Sequence, residues 1–261
     1  MRVYFSTIIR GAKVEKGGEL VCLDWGKKKI VARAPIFPEN PRVVDPNPRG
    51  NSRGGRGIAL LPDGRILVAS YHSLYLFSRD LESRQQVSHP LFCGLHEVFL
   101  TERNTLWVAS TSIDAALNVE YRTGEILASF WPREMPGIQS ALGVQPLPID
   151  KSADNRTLFL EEKYARHPHH LHLNTVVEHN GEVYALFHGF GAIANLTRDQ
   201  ILLRDVSLRG SHNLWFYDTH QVALNNTYKR AVQFYDLKQK RLVREIVLTK
   251  FPEVRRLVRY V

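Results

Sequence analysis

"RGIALLPDGRILVAS" (residues 56–70) lies without a gap on "HEVFLTERNTLWVAS" (96–110). Each copy holds an alternating strand-like run, a polar turn and a second apolar run, the pattern of two antiparallel strands joined tightly. The resemblance continues beyond them, through a third run ("SLYLFSRD" or "AALNVEYRTGE") and a fourth ("RQQVS" or "ILASFW"). A repeating unit of four short antiparallel strands is the blade of a β-propeller. Two more copies follow at 172–208 and 212–248.

The chain ends supply the remaining unit. Residues 1–36 hold three strands and lack an innermost one, while "EVRRLVRYV" (253–261) is a strand left over after the last full copy. Joining them predicts an all-β chain, a five-bladed β-propeller of four-stranded antiparallel blades, closed by the C-terminal strand so that no sheet edge stays open. The expected blades are 1–36 with 253–261, 56–89, 95–131, 170–208 and 211–249, within a single domain. No long helical period with caps interrupts this pattern. A β-sandwich or open barrel is the competing architecture, because strand alternation alone fits those as well.

Composition narrows the setting. The 261 residues are 44% hydrophobic, ordinary for a folded core. The opening "MRVYFSTIIRG" passes directly into strand-type residues without the zones of a secretory signal, and no stretch resembles a membrane span, so a cytoplasmic protein without membrane attachment is expected. Cys22 and Cys93 have no metal-type spacing and read as reduced, buried thiols. A formal charge of +9 favours acidic partners. The basic runs "GKKK" (26–29) and 238–260 carry charge at strand spacing with no reader motif, which argues against a nucleic-acid partner.

Aligning the blades places His96, Arg56 and His212 at the start of the innermost strand, with His172 one or two residues away and Arg255 matching in the closing strand. Turns between second and third strands open on the same face and bring His72, Asp114, His188 and Tyr228. The long connections 37–55 and 132–169 are expected there as covers, since unstructured loops beyond about 12–15 residues usually bind or close over something. The neighbouring His167, His169 and His170 read as loop surface, and Trp107, Tyr184, Trp215 and Phe216 as packing between blades.

Two chemistries suit such a ring. In one, His96, His172 and His212 bind a divalent metal (Fe, Zn or Mn) with an open position. Glu97, Asn174 and Asn213 then orient the ligands, and Arg56 and Arg255 hold an anionic substrate group. In the other no metal is needed, and His96, His172, His188 or His212 serves as base or nucleophile while the arginines stabilise negative charge. Substrate contacts are expected from His72, Asp114, Asn174, Asn213 and Tyr228 in either case. The chain has no phosphate-binding loop, dinucleotide fingerprint or G-x-S-x-G elbow. A glycosidase would need paired carboxylates, for which Asp114, Asp150, Glu161 and Glu162 are the candidates.

The blade openings Arg-Gly (56–57), "LHEV" (95–98), "HLNTV" (172–176) and "SHNLWF" (211–216) resemble an uncharacterised group of bacterial β-propeller proteins. More remotely, the series His-acidic, His-x-Asn, His-Asn is similar to the channel motifs of aryl-sulfate sulfotransferases, which implies His172 in the H-x-N strand and His212 as nucleophile. This chain departs from that family in length and in offering His188 and glycines where the family has arginine. The sequence favours an enzyme of open reaction class acting on an anionic or polar small molecule or small modified peptide. The runner-up is a non-catalytic interaction scaffold, and a lectin-like binder is disfavoured because no aromatic pocket repeats between blades.

Overall fold

A computed structural model describes residues 1–9, 12–37, 54–156 and 168–251. Its fold class is a five-bladed β-propeller of four-stranded antiparallel sheets with one short helix. The strand 253–261, and with it Arg255, lies outside the described residues, as do Glu161, Glu162, His167 and most of 37–55.

The chain divides into two compact units. The first, Met1–Ser129 with Pro148–Pro168, carries three blades. Strands β1 (Arg2–Ser6), β2 (Glu19–Asp24) and β3 (Lys29–Pro35) form blade one among the described residues. Blade two follows with β4 (Ile58–Leu60), β5 (Ile66–Ala69), β6 (Ser73–Phe77) and β7 (Arg84–Ser88). Blade three has β8 (Leu95–Leu100), β9 (Leu106–Ser110), β10 (Ala115–Val119) and β11 (Ile126–Phe130). The second unit, Phe130–Leu147 with His169–Val261, carries two. Blade four is β12 (Leu173–His179), β13 (Glu182–Phe187), β14 (Ala192–Asn195) and β15 (Gln200–Arg204), and blade five is β16 (Ser211–Phe216), β17 (Gln221–Asn226), β18 (Ala231–Asp236) and β19 (Arg241–Val247).

Burial follows strand position within a blade. The middle strands are continuous apolar runs, "ILVA" in β5 and "SLYLF" in β6, buried on both faces, whereas the outermost β11 and β19 are largely exposed. In the first unit Leu20, Cys22, Ile36, Val68, Tyr75 and Phe77 pack into one cluster. Each such side chain contributes roughly 1.5–3 kcal/mol by leaving water. Cys22 and Cys93 are buried free thiols.

Adjacent innermost strands meet closely where they begin. In the first unit Gly57 N donates to His96 O (2.9 Å). A Cβ on Gly57 would lie 2.6 Å from Val98 N and 2.7 Å from His96 O, so only glycine permits this approach. In the second unit side chains make the corresponding seam: Asn213 N donates to Thr175 Oγ1 (3.1 Å) and Asn174 Nδ2 to Ser211 O (3.3 Å).

Three innermost strands, β8, β12 and β16, carry a register shift near their start, between Leu95 and Val98, Leu173 and Thr175, and His212 and Trp215. An extra residue there re-aims the side chains beyond it. Trp215, expected as interior packing, is consequently 69% exposed, while Trp107 and Tyr184 are buried. Phe216 is half-buried and stacks on His179 at 4.3 Å.

The connection after blade three also differs from expectation. Its first part forms helix α1 (Pro136–Leu142), with proline in the first turn and Gly143 as a left-handed C-cap (φ 68°). Asp199 accepts from Gly137 N (2.7 Å) and Ile138 N (2.9 Å), and Arg204 Nη1 donates to Ala141 O (3.1 Å). The segment is therefore anchored on the outer strand of blade four and its preceding turn. Its later part belongs to the first unit, where Asn155 N donates to Pro90 O (2.8 Å).

Candidate functional site

Within the first unit, His96 and Arg56 are bound to each other. Arg56 Nη1 lies 2.7 Å from His96 Nε2, and His96 Nδ1 lies 3.0 Å from Gly94 O. A carbonyl only accepts, so Nδ1 carries the ring proton and Nε2 offers its lone pair to the guanidinium. His96 thus acts as a neutral orienting group for Arg56. His72 is buried beside Ser73 Oγ (2.9 Å), and burial, reinforced by the charge of Arg156, depresses its pKa. Asp114 is fully buried in a left-handed conformation (φ 50°), its N–H closing a 3-10 turn on Thr111 O (3.2 Å). Asp150, a glycosidase candidate, accepts from Ser152 of its own turn.

The second unit assembles a chain of imidazoles. The rings of His170 and His172 have centres 5.4 Å apart, His172 and His188 4.7 Å, and His188 and His212 5.3 Å, with Tyr228 edge-on to His188 at 5.8 Å. His170, expected at the loop surface, is instead half-buried within this series. The missed signal is the alternation His170-Leu171-His172, in which Leu171 is buried between two polar neighbours.

Each member has an identifiable support. His172 immediately precedes β12 in a left-handed conformation (φ 56°), uncommon for a side chain of this size, and its carbonyl accepts from His188 N (3.1 Å). His188 directly follows β13, at the start of the glycine-containing turn to β14. The pairing of Leu95 with Ser110, Leu173 with Phe187 and Ser211 with Asn226 makes Asn174 the counterpart of His96 and His212. His172 stands two residues ahead of that position.

Asn174 is wholly buried and governs His212. Its Nδ2 donates to Ser211 O (3.3 Å) and to His212 Nδ1 (3.1 Å), while Oδ1 has no hydrogen-bond partner. The carbonyl fixes which amide atom is nitrogen, so His212 Nδ1 is the acceptor and Nε2 carries the ring proton. Asn213, predicted to contact substrate, takes the left-handed conformation (φ 57°) in the bulge, and its Oδ1 accepts from Asn225 (3.0 Å). Tyr228 is 72% exposed, with its ring lying on Gly210, where a Cβ would come within 2.5 Å.

His188 differs from the others. Burial lowers its pKa below the ordinary 6.5; a hydrogen bond to the Ser211 backbone opposes this and His170 reinforces it. The ring is therefore neutral at neutral pH. Its Nδ1 is buried without a hydrogen-bond partner. A neutral imidazole with an unengaged nitrogen can act as a base or ligate a cation. No group of three or more His, Cys, Asp or Glu side chains is arranged to hold a metal ion among the described residues. Among those residues no helix is long and apolar enough to cross a membrane.

No protein-family model matches the sequence, and no curated protein resembles it in sequence. Solved structures do resemble it in fold. A protein of unknown function from Bacteroides caccae has a TM-score of 0.60 and 13% identity, covering 95% of this chain and 74% of that one. A catalytically inactive histidine-to-alanine virginiamycin B lyase from Staphylococcus aureus, with quinupristin, has a TM-score of 0.52 and 12% identity, covering 91% and 68%. The Pan2 WD40 domain of Neurospora crassa has a TM-score of 0.54 and 11% identity, covering 94% and 62%. At these identities the likeness establishes fold alone.

Proposed function

We propose that the second unit carries a histidine-dependent acid–base site acting on a polar or anionic small molecule or small modified peptide. The observation that carries this reading is the buried, unpartnered Nδ1 of His188 beside a donor of fixed tautomer, His212. A substrate entering past Tyr228 would lose a proton to His188 Nδ1, and His212 Nε2–H would hydrogen-bond or protonate the oxygen on which charge develops. Asn174 holds that donor in its tautomer, and His172 contributes a second polar ring. The reaction class is proton abstraction with elimination, or hydrolysis through an activated water. A virginiamycin B lyase of similar fold is catalytically inactive with one histidine replaced by alanine, and its reaction is not carried over at 12% identity.

Turnover of a panel of anionic lactones, esters and small cyclic peptides tests the proposal. His188→Gln should lower kcat by about 100-fold or more, the usual contribution of a positioned base. His212→Gln should lower it as well, with the β-sheet circular dichroism intact in both. Turnover that is unchanged in His188→Gln, or uptake of no panel member, would leave the interaction scaffold as the better account.

Ring spacing favours one second reading. Two imidazoles on one tetrahedral ion have centres about 5 Å apart, close to the 4.7 and 5.3 Å separations flanking His188. Were Fe, Zn or Mn bound here, His172, His188 and His212 would hold it and it would supply an activated water, although as they stand the three rings are not arranged around one ion. Elemental analysis of untagged protein separates the readings: stoichiometric metal lost in His188→Gln favours the ion, and metal-free active protein the acid–base site.

A further inference from the structure

At the opposite strand ends of the second unit, the turns of blades four and five line an open cavity of about 450 Å³. It is formed where β12 meets β13, β14 meets β15, β16 meets β17 and β18 meets β19, with His220 in its lining and His179 stacked on Phe216, whereas His172, His188 and His212 stand at the other ends of these strands. Its volume lies within the usual range of small-molecule sites. Tyr184 and Phe216 supply an aromatic wall, with ring centres 4.7 Å apart, and Leu237 extends the apolar surface.

The charges in this cavity are unevenly engaged. Glu182 accepts from Tyr184 OH (2.9 Å) and Asn195 Nδ2 (2.9 Å) and pairs with Arg198 Nε. Three donors thus occupy the carboxylate, which serves to fix Tyr184 and Arg198. Asp236, beside the cavity in the chain, is turned to its own loop, accepting from Gln239 N (2.8 Å). Arg198 remains 65% exposed, with the outer guanidinium nitrogens beyond its Glu182 contact, and Lys238 lines the same space. Two cations against one neutralised carboxylate leave a positive rim over an aromatic wall.

We infer that this cavity binds a small organic anion with a flat apolar body, its carboxylate or phosphate held by Arg198 and Lys238 and its ring against Tyr184 and Phe216. A guanidinium held at Nε is already oriented, so little of its freedom is lost on binding an anion.

Calorimetric titration of the full chain with indole-3-acetate and with adenosine 5′-monophosphate tests this, alongside indole-3-acetamide as the neutral analogue. Saturable binding of either anion is expected, the tighter one identifying carboxylate or phosphate. The acetamide should bind at least tenfold more weakly than the acetate. Arg198→Gln with Lys238→Gln should weaken binding at least tenfold, while His188→Gln leaves it unchanged. Backbone amide shifts should fall on Asn180–Tyr184 and Phe216–His220. Failure of both anions to saturate below about 5 mM, equal binding in the double variant, or shifts centred on His188 would overturn the assignment.

Discussion

The first and second units solve the same local problem with different side chains. At the start of β8, His96 gives its Nε2 lone pair to Arg56, and the strand seam is closed by backbone against Gly57. At the start of β12 and β16, Asn174 takes the place of His96, binds His212, and leaves His188 with an unpartnered nitrogen. A histidine at a repeated position is therefore not a function in itself: its partner determines whether it orients a neighbour or stays reactive.

Catalysis provides the largest expected contrast. If the second unit holds the base, His188→Gln costs about 100-fold or more in kcat, whereas His96→Gln, which can still accept from Arg56, costs less than about tenfold. Equal losses would break the distinction between the units.

Stability should then separate the two seams. Gly57→Val places side-chain carbon against the backbone of Glu97 and Val98 and should destabilise by roughly 2–4 kcal/mol in urea unfolding. Asn174→Ala removes the amide that satisfies Ser211 O and His212 and should cost about 1–3 kcal/mol. A smaller loss for Gly57→Val than for Asn174→Ala would mean that the first seam yields.

The smallest effect is the acid dependence of stability. His72 and His188 both have folded pKa values below 6.5, chiefly through burial. The unfolded chain then takes up protons first as pH falls, so stability is full above 6.5 and declines from there down through the folded values. The midpoint temperature should drop across that window, and less so in His188→Gln. An NMR titration placing the His188 midpoint above 6.5 would remove the argument for a neutral ring.

Much of the fold is legible because the strand period and the repeat reinforce each other: 56–70 and 96–110 share turn, alternation and ending. Helix α1 was not, since a seven-residue element is capped by Asp199 from another part of the chain. Trp215 was misplaced because a bulge interrupts the alternation that predicted its direction. Among the site candidates, Arg56, His96, His172, His188, His212 and Tyr228 were named from repeat position. Asn174 as the true counterpart of His96, and His170 as a member of the imidazole chain, required the register and the loop path.

The sequence by itself determined the blade repeat, the five-bladed class and the concentration of histidines at strand starts, because each follows from local periodicity. Tertiary structure alone decided the partners of His96 Nε2 and His212 Nδ1. That depends on hydrogen bonds between residues 38 or 40 positions apart, Asn174 with His212 and Arg56 with His96, whose geometry no local pattern encodes.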